Sequence, residues 1–144
     1  MDQDIQHAKT QLICHNYTCV LCKDDAIYHS CHRGVRPLLD FLDSGLDFTG
    51  FSAADKVVGK ATAFLYCLLG VKTVYANVLS DAAAQVFARA NIPFSCDTRV
   101  PFIRNRTNTG LCPMENATKD IDDPHLALAA IRETLQKLQS EAAG

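Results

Sequence analysis

Apolar residues recur at helical spacing through the middle of the chain. Over residues 52–69 the pattern places the following side chains on one face: Val57, Ala61, Phe64, Leu65 and Leu68. This periodicity predicts a helix, and apolar residues on most of its sides predict that it is the most buried helix of the protein. Gly70 supplies the residue that ends it.

Weaker patterns predict three more helices before the last fifth of the chain. Residues 2–10 are polar and start a short helix, and residues 37–45 form another, with proline in its first turn and glycine at its end. Ser80 can cap a helix over residues 81–90, and Asn91 can end that helix in the left-handed conformation.

The last helix is predicted to begin at Asp123 and Pro124, a capping residue followed by proline at the first helical position. Its apolar stripe has spacings of three, four and three residues: Leu128, Ile131, Leu135 and Leu138. Before it, residues 101–123 form a polar connection with one helical turn near Pro113. We therefore expect a single domain over residues 1–144, with a core of about 11–125 and a C-terminal helix of about 124–140.

Strands are indicated by β-branched and aromatic residues and by alternation. The predicted strands are residues 17–21, 26–28, 73–79 and 93–100. Asp24 and Asp25 suggest a hairpin turn between the first two. Later strands joined by helices must run parallel, and helices should cover both faces of their sheet. The expected fold class is a three-layer α-β-α domain, with an antiparallel hairpin plus parallel strands.

Composition excludes several classes of protein. With 48% hydrophobic and 21% charged residues, the 144-residue chain is globular rather than disordered. A net charge of −2 implies no general attraction to nucleic acid or to an acidic membrane, and the uncharged, apolar stretch at residues 61–71 is too short to span a bilayer. Seven cysteines, an odd number, follow an acidic start without a signal peptide, so we expect free thiols in the cytoplasm.

Three segments carry a resemblance to known proteins. They are DKVVGKA at residues 55–61, GVKTVYA at residues 70–76 and RNRTNTGLCP at residues 104–113. Together with the order of elements, they resemble a small family of uncharacterised bacterial proteins in the cytidine deaminase-like superfamily, over roughly residues 17–125. The resemblance implies a cytidine deaminase-like mixed sheet with an extra C-terminal helix. It implies no established activity.

The same resemblance implies that the zinc chemistry of deaminases is missing. In those enzymes an H-x-E or C-x-E triplet opens the second core helix, and P-C-x-x-C opens the next. Residues 52–56, at the first position, contain no His, Cys or Glu, and Ala83 and Val86 stand where the two cysteines would be. A catalytic zinc needs three protein ligands. We therefore expect no metal, no other cofactor and no hydrolytic deamination.

Basic and polar residues near the predicted helix starts favour a pocket for an anion. Lys56 and Lys60 would lie one turn apart on a single helical face, beside Asp55 at the start of that helix. Further donors come from the polar connection: Arg104, Asn105, Arg106, Thr109 and Gly110. Helix N-termini at the carboxyl ends of parallel strands also favour anions. The ligand class would be an anionic small molecule such as a nucleotide.

The same residues have a simpler explanation. Ser52 and Asp55 can form a capping box, and the lysines and arginines can be solvated on the surface. Gly59 favours the pocket, because glycine inside a helix costs nearly 1 kcal/mol relative to alanine and usually answers a packing constraint.

Cys112 is the best single candidate for a nucleophile. It precedes Pro113, so it can be the N-cap of a helical turn, where the helix dipole lowers a thiol pKa, and Glu115 could be its capping partner or a proton acceptor. A cysteine-dependent enzyme using Cys112, Glu115 and the Arg104/Arg106 segment is the alternative function. An inert, buried cysteine is the simpler explanation.

Two further features give no separate function. A group of His and Cys suggests zinc: Cys14, His15, Cys19, Cys22, His29, Cys31 and His32. Cys19 and Cys22, however, lie in a predicted strand, where residues three apart face opposite sides, so small apolar thiols are the better explanation.

The stripe of the last helix is either core or the seam of a homo-oligomer. A non-catalytic assembly domain is therefore the third hypothesis.

Overall fold

The computed structural model describes residues 3–32, 34–103 and 112–143, with side chains described as far as residue 140. Within these residues the helices are α1 Gln3–His15, α2 Arg36–Asp43, α3 Lys60–Leu69, α4 Asp81–Arg89, α5 Pro113–Thr118 and α6 Pro124–Ala143. The strands are β1 Cys19–Lys23, β2 Ala26–Ser30, β3 Ser52–Val58, β4 Thr73–Ser80 and β5 Phe94–Val100.

One mixed sheet of five strands organises the fold. Its order is β2-β1-β3-β4-β5; β1 is antiparallel to β2 and β3, whereas β3, β4 and β5 run parallel. The turn between β1 and β2 passes through Asp24 in the left-handed conformation, at φ 53°. The predicted α/β class, hairpin and parallel strands are therefore confirmed.

The prediction of one helix over residues 52–69 is wrong in its first half. Ser52–Val58 is the central strand β3, and the helix α3 begins only after Gly59. A strand paired on both edges and covered on both faces is apolar without alternation, so its pattern cannot be told from that of a buried helix. Because β3 lies between β1 and β4, pairing in the sheet overrides the helical spacing that continues into α3.

The local signals at the other helix ends are confirmed. Gly70 ends α3 at φ 77°, and Asn91 follows α4 at φ 59°. The Ser80 hydroxyl accepts a hydrogen bond from the Ala83 backbone N–H at 3.1 Å, which caps α4. Asp123 likewise accepts hydrogen bonds from the first backbone N–H groups of α6.

Helices cover both faces of the sheet, as predicted. On one face α1 packs through Ala8 and Leu12 against buried residues of three strands: Val20, Cys22, Ala54 and Tyr75. The other face carries the larger core under α2, α3, α4, α5 and α6. In α6 Ile131 is fully buried, whereas Leu138 is 37% exposed, so most of the stripe is core of this domain.

Two further features of the structure concern the thiols and the length of the helices. All seven cysteines are free thiols. Among the described residues, no helix combines the length and the apolar character that crossing a membrane requires.

Candidate functional site

A cavity of about 410 Å³ lies where β3 ends and α3 begins. Segments distant in sequence form its wall: β1, β3, the turn before α2, the first turn of α3, and residues 112–115 at the start of α5. Its polar and close-approach residues include Asp55, Lys56, Gly59, Thr62, Cys112 and Glu115. We call it the Asp55–Glu115 cavity.

Asp55 is the buried acid of β3. It pairs across the sheet with Cys19 of β1 and is only 8% exposed. Its Oδ2 accepts a hydrogen bond of 2.6 Å from the hydroxyl of Tyr66, and its Oδ1 accepts one of 3.1 Å from the backbone N–H of Val57. Burial raises the pKa of Asp55 to about 7, against the opposing effect of the hydrogen bonds from Tyr66 and the backbone. Asp55 therefore changes charge near neutral pH.

The hydroxyl of Tyr66 links Asp55 to the thiol of Cys19. The oxygen lies 3.3 Å from Cys19 Sγ, and both residues are buried. Burial raises the pKa of Cys19 and the pKa of Tyr66 well above their ordinary values, and the neighbouring Asp55 adds to both shifts. Cys19 and Tyr66 therefore stay neutral, and Asp55 is the one of these three groups that ionises near neutral pH.

Glu115 brings a second buried carboxyl to the cavity from α5. Its Oε1 accepts a hydrogen bond from the backbone N–H of Lys60, the first residue of α3. Burial raises the pKa of Glu115, while the N–H and the charge of Lys60 lower it. A carboxylate at a helix N-terminus satisfies an otherwise unpaired donor and complements the helix dipole. Glu115 thus supplies the cap that Gly59, which has no side chain, cannot supply.

The close approach of Glu115 to the start of α3 requires glycine at position 59. It adopts ordinary extended backbone, so its conformation does not demand glycine, but a Cβ at this position would collide with Glu115 Oε1 and crowd Ile103. The packing constraint inferred from the sequence is confirmed, although Gly59 is the N-cap of α3 rather than an interior helical residue.

Two polar groups of the cavity retain hydrogen-bonding capacity. Within the described segments, no hydrogen bond joins the hydroxyl of Thr62 to another residue, although Thr62 is only 8% exposed. Glu115 uses Oε1 for α3, and its Oε2 forms no hydrogen bond with the described residues. Both atoms can therefore form a hydrogen bond with a ligand that enters the cavity.

Comparison with known proteins places the chain in a family. Residues 7–135 match the family described as TM1506, a domain of unknown function (DUF1893). The chain belongs to this family. Its structure is similar to the crystal structure of a DUF1893 family protein, TM1506, from Thermotoga maritima, with 24% sequence identity and a TM-score of 0.82 over 95% of this chain and 92% of the other. No curated protein matches the chain.

This DUF1893 domain brings together four of the residues that the sequence singled out. Asp55, Lys56, Cys112 and Glu115 all line the cavity. Arg104, Asn105, Arg106, Thr109 and Gly110 lie outside the described residues, so their predicted role stays a prediction. Thr62 and Tyr66 were missed, and Cys19 was considered only as a metal ligand or an apolar thiol. A tyrosine and a threonine inside an otherwise apolar helical run were the signal available for the two that were missed.

The predicted pair of lysines on one helical face is wrong. Lys56 belongs to β3 and its Nζ donates to Asn16 Oδ1, whereas Lys60 opens α3. The Nζ of Lys60 turns away from the cavity, donates to the backbone oxygen of Lys119 at 2.8 Å and lies over the ring of Phe64. The cause is the strand β3, which replaces the helical turn between the two lysines. Lys60 contributes only its backbone N–H to the site.

The chain itself satisfies the helix N-termini that were expected to bind an anion. Glu115 caps α3, and the Ser80 side chain caps α4. The proposed capping box is also wrong, because Ser52 and Asp55 both lie in β3 and the hydroxyl of Ser52 is buried without a partner in the described structure. The described wall of the cavity is consequently more acidic than the sequence suggested.

The true start of α3 also lacks the residue types that bind zinc in deaminases. The DUF1893 domain opens this helix with Gly59, Lys60 and Ala61 rather than with residues 52–56, and again no His, Cys or Glu occurs there. Ala83 and Val86 open α4 as predicted and are buried in the core. In residues 3–32, 34–103 and 112–143 no group of three or more His, Cys, Asp or Glu is arranged to hold a metal ion.

The cysteine predictions have a mixed outcome. Cys112 is the N-cap residue of α5, as expected, and is half-buried, but its side chain forms no capping hydrogen bond. Glu115 caps α3 instead of α5. Cys19 and Cys22 lie buried in β1, packed in the cores on opposite faces of the sheet, as the strand assignment predicted.

Proposed function

We propose that this DUF1893 domain binds an anionic small molecule, a nucleotide or a derivative of one, in the Asp55–Glu115 cavity. One observation carries the proposal: Asp55 and Lys56 of β3 meet Cys112 and Glu115 of α5 around one cavity, although the two pairs are far apart in sequence. Mostly apolar cavities with a few converging polar groups are the usual form of a small-molecule site.

Position in the fold supports the same site. The cavity lies at the carboxyl end of the parallel strand β3, where open α/β sheets generally bind ligands. We further propose that the fold is a variant of the cytidine deaminase-like fold, because α3 and α4 directly follow neighbouring parallel strands, as the zinc-binding helices of deaminases do. Glu115, arriving from α5, would then stand near the place of the deaminase glutamate without its zinc.

Lys56 is the group proposed to hold the anionic part of the ligand. Among the described residues that line the cavity, it is the one lysine or arginine. Its ammonium group donates to Asn16, which follows α1, and has two further donors. Arg104 and Arg106, which lie outside the described residues, are proposed to add donors for the anion.

Replacement of the lysine tests this function. We expect one or more ribonucleoside monophosphates to raise the thermal midpoint of the protein, and the corresponding nucleosides to raise it less. Lys56→Ala should weaken binding of the monophosphate about tenfold or more, because a charge-assisted hydrogen bond contributes about 1.5–3 kcal/mol. Calorimetric titration measures both affinities.

The matched control is Lys137→Ala, since Lys137 lies on the exposed side of α6 with a weak ion pair. Its affinity should equal that of the wild type. Equal affinity for Lys56→Ala and Lys137→Ala would contradict the role of Lys56, and the absence of binding by every monophosphate and nucleoside would contradict the proposed function.

A cysteine-dependent enzyme is the second candidate, favoured by the position of Cys112 in the same cavity as Glu115. This function requires Cys112 Sγ to attack an electrophilic carbon of the substrate: the S–H proton passes to the carboxylate of Glu115, the C–S bond forms, and a π bond or leaving group of the substrate takes the displaced electron pair. Intact-mass spectrometry after incubation with the bound ligand distinguishes the two candidates: an added mass on Cys112 supports the enzyme, and an unchanged mass supports binding alone.

A further inference from the structure

We propose that the inner part of the Asp55–Glu115 cavity binds a cationic, N–H-donating group of the ligand, such as an amidine, a guanidine or a protonated amino-heterocycle. This inference rests on the proposed function, because it concerns the part of the ligand that enters the cavity. It goes beyond that function by assigning the chemistry of the ligand group that contacts Asp55 and Glu115.

The hydrogen-bonding groups inside the cavity are mostly acceptors. Asp55 and Glu115 are each more than nine-tenths buried, and both line the cavity. Glu115 retains Oε2 for a donor, and each oxygen of Asp55 has one partner in the described structure and a second lone pair. The Thr62 hydroxyl adds a group that can accept as well as donate. A ligand rich in N–H groups therefore satisfies the site, and one with acceptors alone does not.

The charges of the cavity wall also favour a cationic ligand group. In the described wall two carboxyl groups lie beside one lysine, Lys56, whose ammonium group donates to Asn16 just beyond the end of α1. A cation between the carboxyl groups recovers part of the free energy that their burial costs, whereas a second anion there adds repulsion. Planar N–H forks match carboxylates especially well, since they form paired, charge-assisted hydrogen bonds.

The rest of the wall fits a flat, apolar ligand body. The apolar residues around the carboxyl groups include Val35, Leu38, Val57, Ala61, Ile103 and Met114. Such walls exclude water, and exclusion of water strengthens each hydrogen bond made to the carboxyl groups. An aromatic ring bearing an amidine is a simple probe of this arrangement.

Binding of the cation should strengthen as pH rises through about 7, because Asp55 ionises there. Several other titratable groups face Asp55 or share its cavity: Cys19 on β1, Tyr66 on α3, Lys56 on β3, Glu115 on α5, and His32 and Cys112 at the wall. His32 also lines the cavity. For this reason Asp55→Asn and His32→Gln are measured separately, and only Asp55→Asn should remove most of the pH dependence.

The experiment compares benzamidine, benzamide and benzoate by calorimetric titration of the full chain at pH 8. The three probes share one ring and differ in charge and in N–H donors. We expect benzamidine to bind at least tenfold more tightly than benzamide, and benzoate to bind most weakly. Asp55→Asn and Glu115→Gln should each weaken benzamidine about tenfold and leave benzamide nearly unchanged.

Asp97→Asn is the matched control, since Asp97 on β5 accepts a hydrogen bond from the hydroxyl of Tyr75 on β4 and does not line the cavity. It should bind benzamidine like the wild type. The comparison of the three probes on the wild type needs no variant, so it stands even if a variant fails to fold.

The outcomes separate the two proposals. If a nucleoside monophosphate binds but benzamidine binds no better than benzamide or benzoate, the inference is overturned and the proposed function stands. If no probe and no nucleotide binds, both are overturned. If benzamidine prevails and loses its advantage in Asp55→Asn and Glu115→Gln, the inference is supported.

Discussion

Asp55 alone is expected to lower the free energy of unfolding by about 4 kcal/mol between pH 4 and pH 7. The pKa of this carboxyl is raised from an ordinary 3.8 to about 7 by burial. Between these two values the folded protein retains a proton that the unfolded chain has lost. The contribution of Asp55 to stability is therefore greatest below pH 4, falls as pH rises, and levels off above about 7.

Asp55→Asn should remove most of this fall, because asparagine does not ionise and its amide can still bond to Val57 and Tyr66. The measurement is urea unfolding of wild type and variant from pH 4 to pH 8, followed by circular dichroism, since the chain has no tryptophan. The pKa of Glu115 is also raised by burial, so the slope left in the variant should have the same sign. Equal slopes in wild type and variant would show that Asp55 is not a buried, proton-retaining acid.

Gly59→Ala should cost about 2–3 kcal/mol of stability, the range for overpacking combined with the loss of a helix cap. The added Cβ would collide with the carboxyl of Glu115 and displace it from the N-terminus of α3. Urea unfolding at constant pH measures the loss.

A double-mutant cycle supplies the control. With Glu115→Ala as background the obstacle is absent, so Gly59→Ala should cost far less, and the coupling between the two positions should be about 1–3 kcal/mol. Additive losses would mean that Gly59 is needed for a reason other than its contact with Glu115.

Much of the fold was predictable because its signals are local. Ser80, Gly70 and Asp123 mark helix ends by their own hydrogen-bonding or conformational properties, and each marks the end that the structure shows. The strand β3 was not predictable in this way. Its residues are buried by partners on both edges and both faces, so no alternation remains, and one glycine separates it from the apolar helix α3.

The site was partly predictable for a similar reason. Cys112 is part of a Gly-Leu-Cys-Pro segment that marks the start of a helix, Glu115 follows that segment, and Asp55 is an acid among apolar residues. The contact of Glu115 with the backbone of Lys60 joins residues far apart in the chain, and no local pattern encodes it. The prediction that the Lys60 side chain binds the ligand was wrong because β3 had been predicted as part of a helix.

The central claim is that a small molecule occupies the Asp55–Glu115 cavity, and alkylation of two cysteines tests it most directly. Cys112 lines the cavity, whereas Cys14 on α1 is exposed and does not line it. Peptide mass spectrometry after timed exposure to iodoacetamide gives the labelling rate of each thiol in the same sample. With a saturating concentration of the ribonucleoside monophosphate that stabilises the protein most, the rate at Cys112 should fall several-fold while the rate at Cys14 stays constant. An unchanged rate at Cys112 under saturation would place the ligand elsewhere and contradict the account.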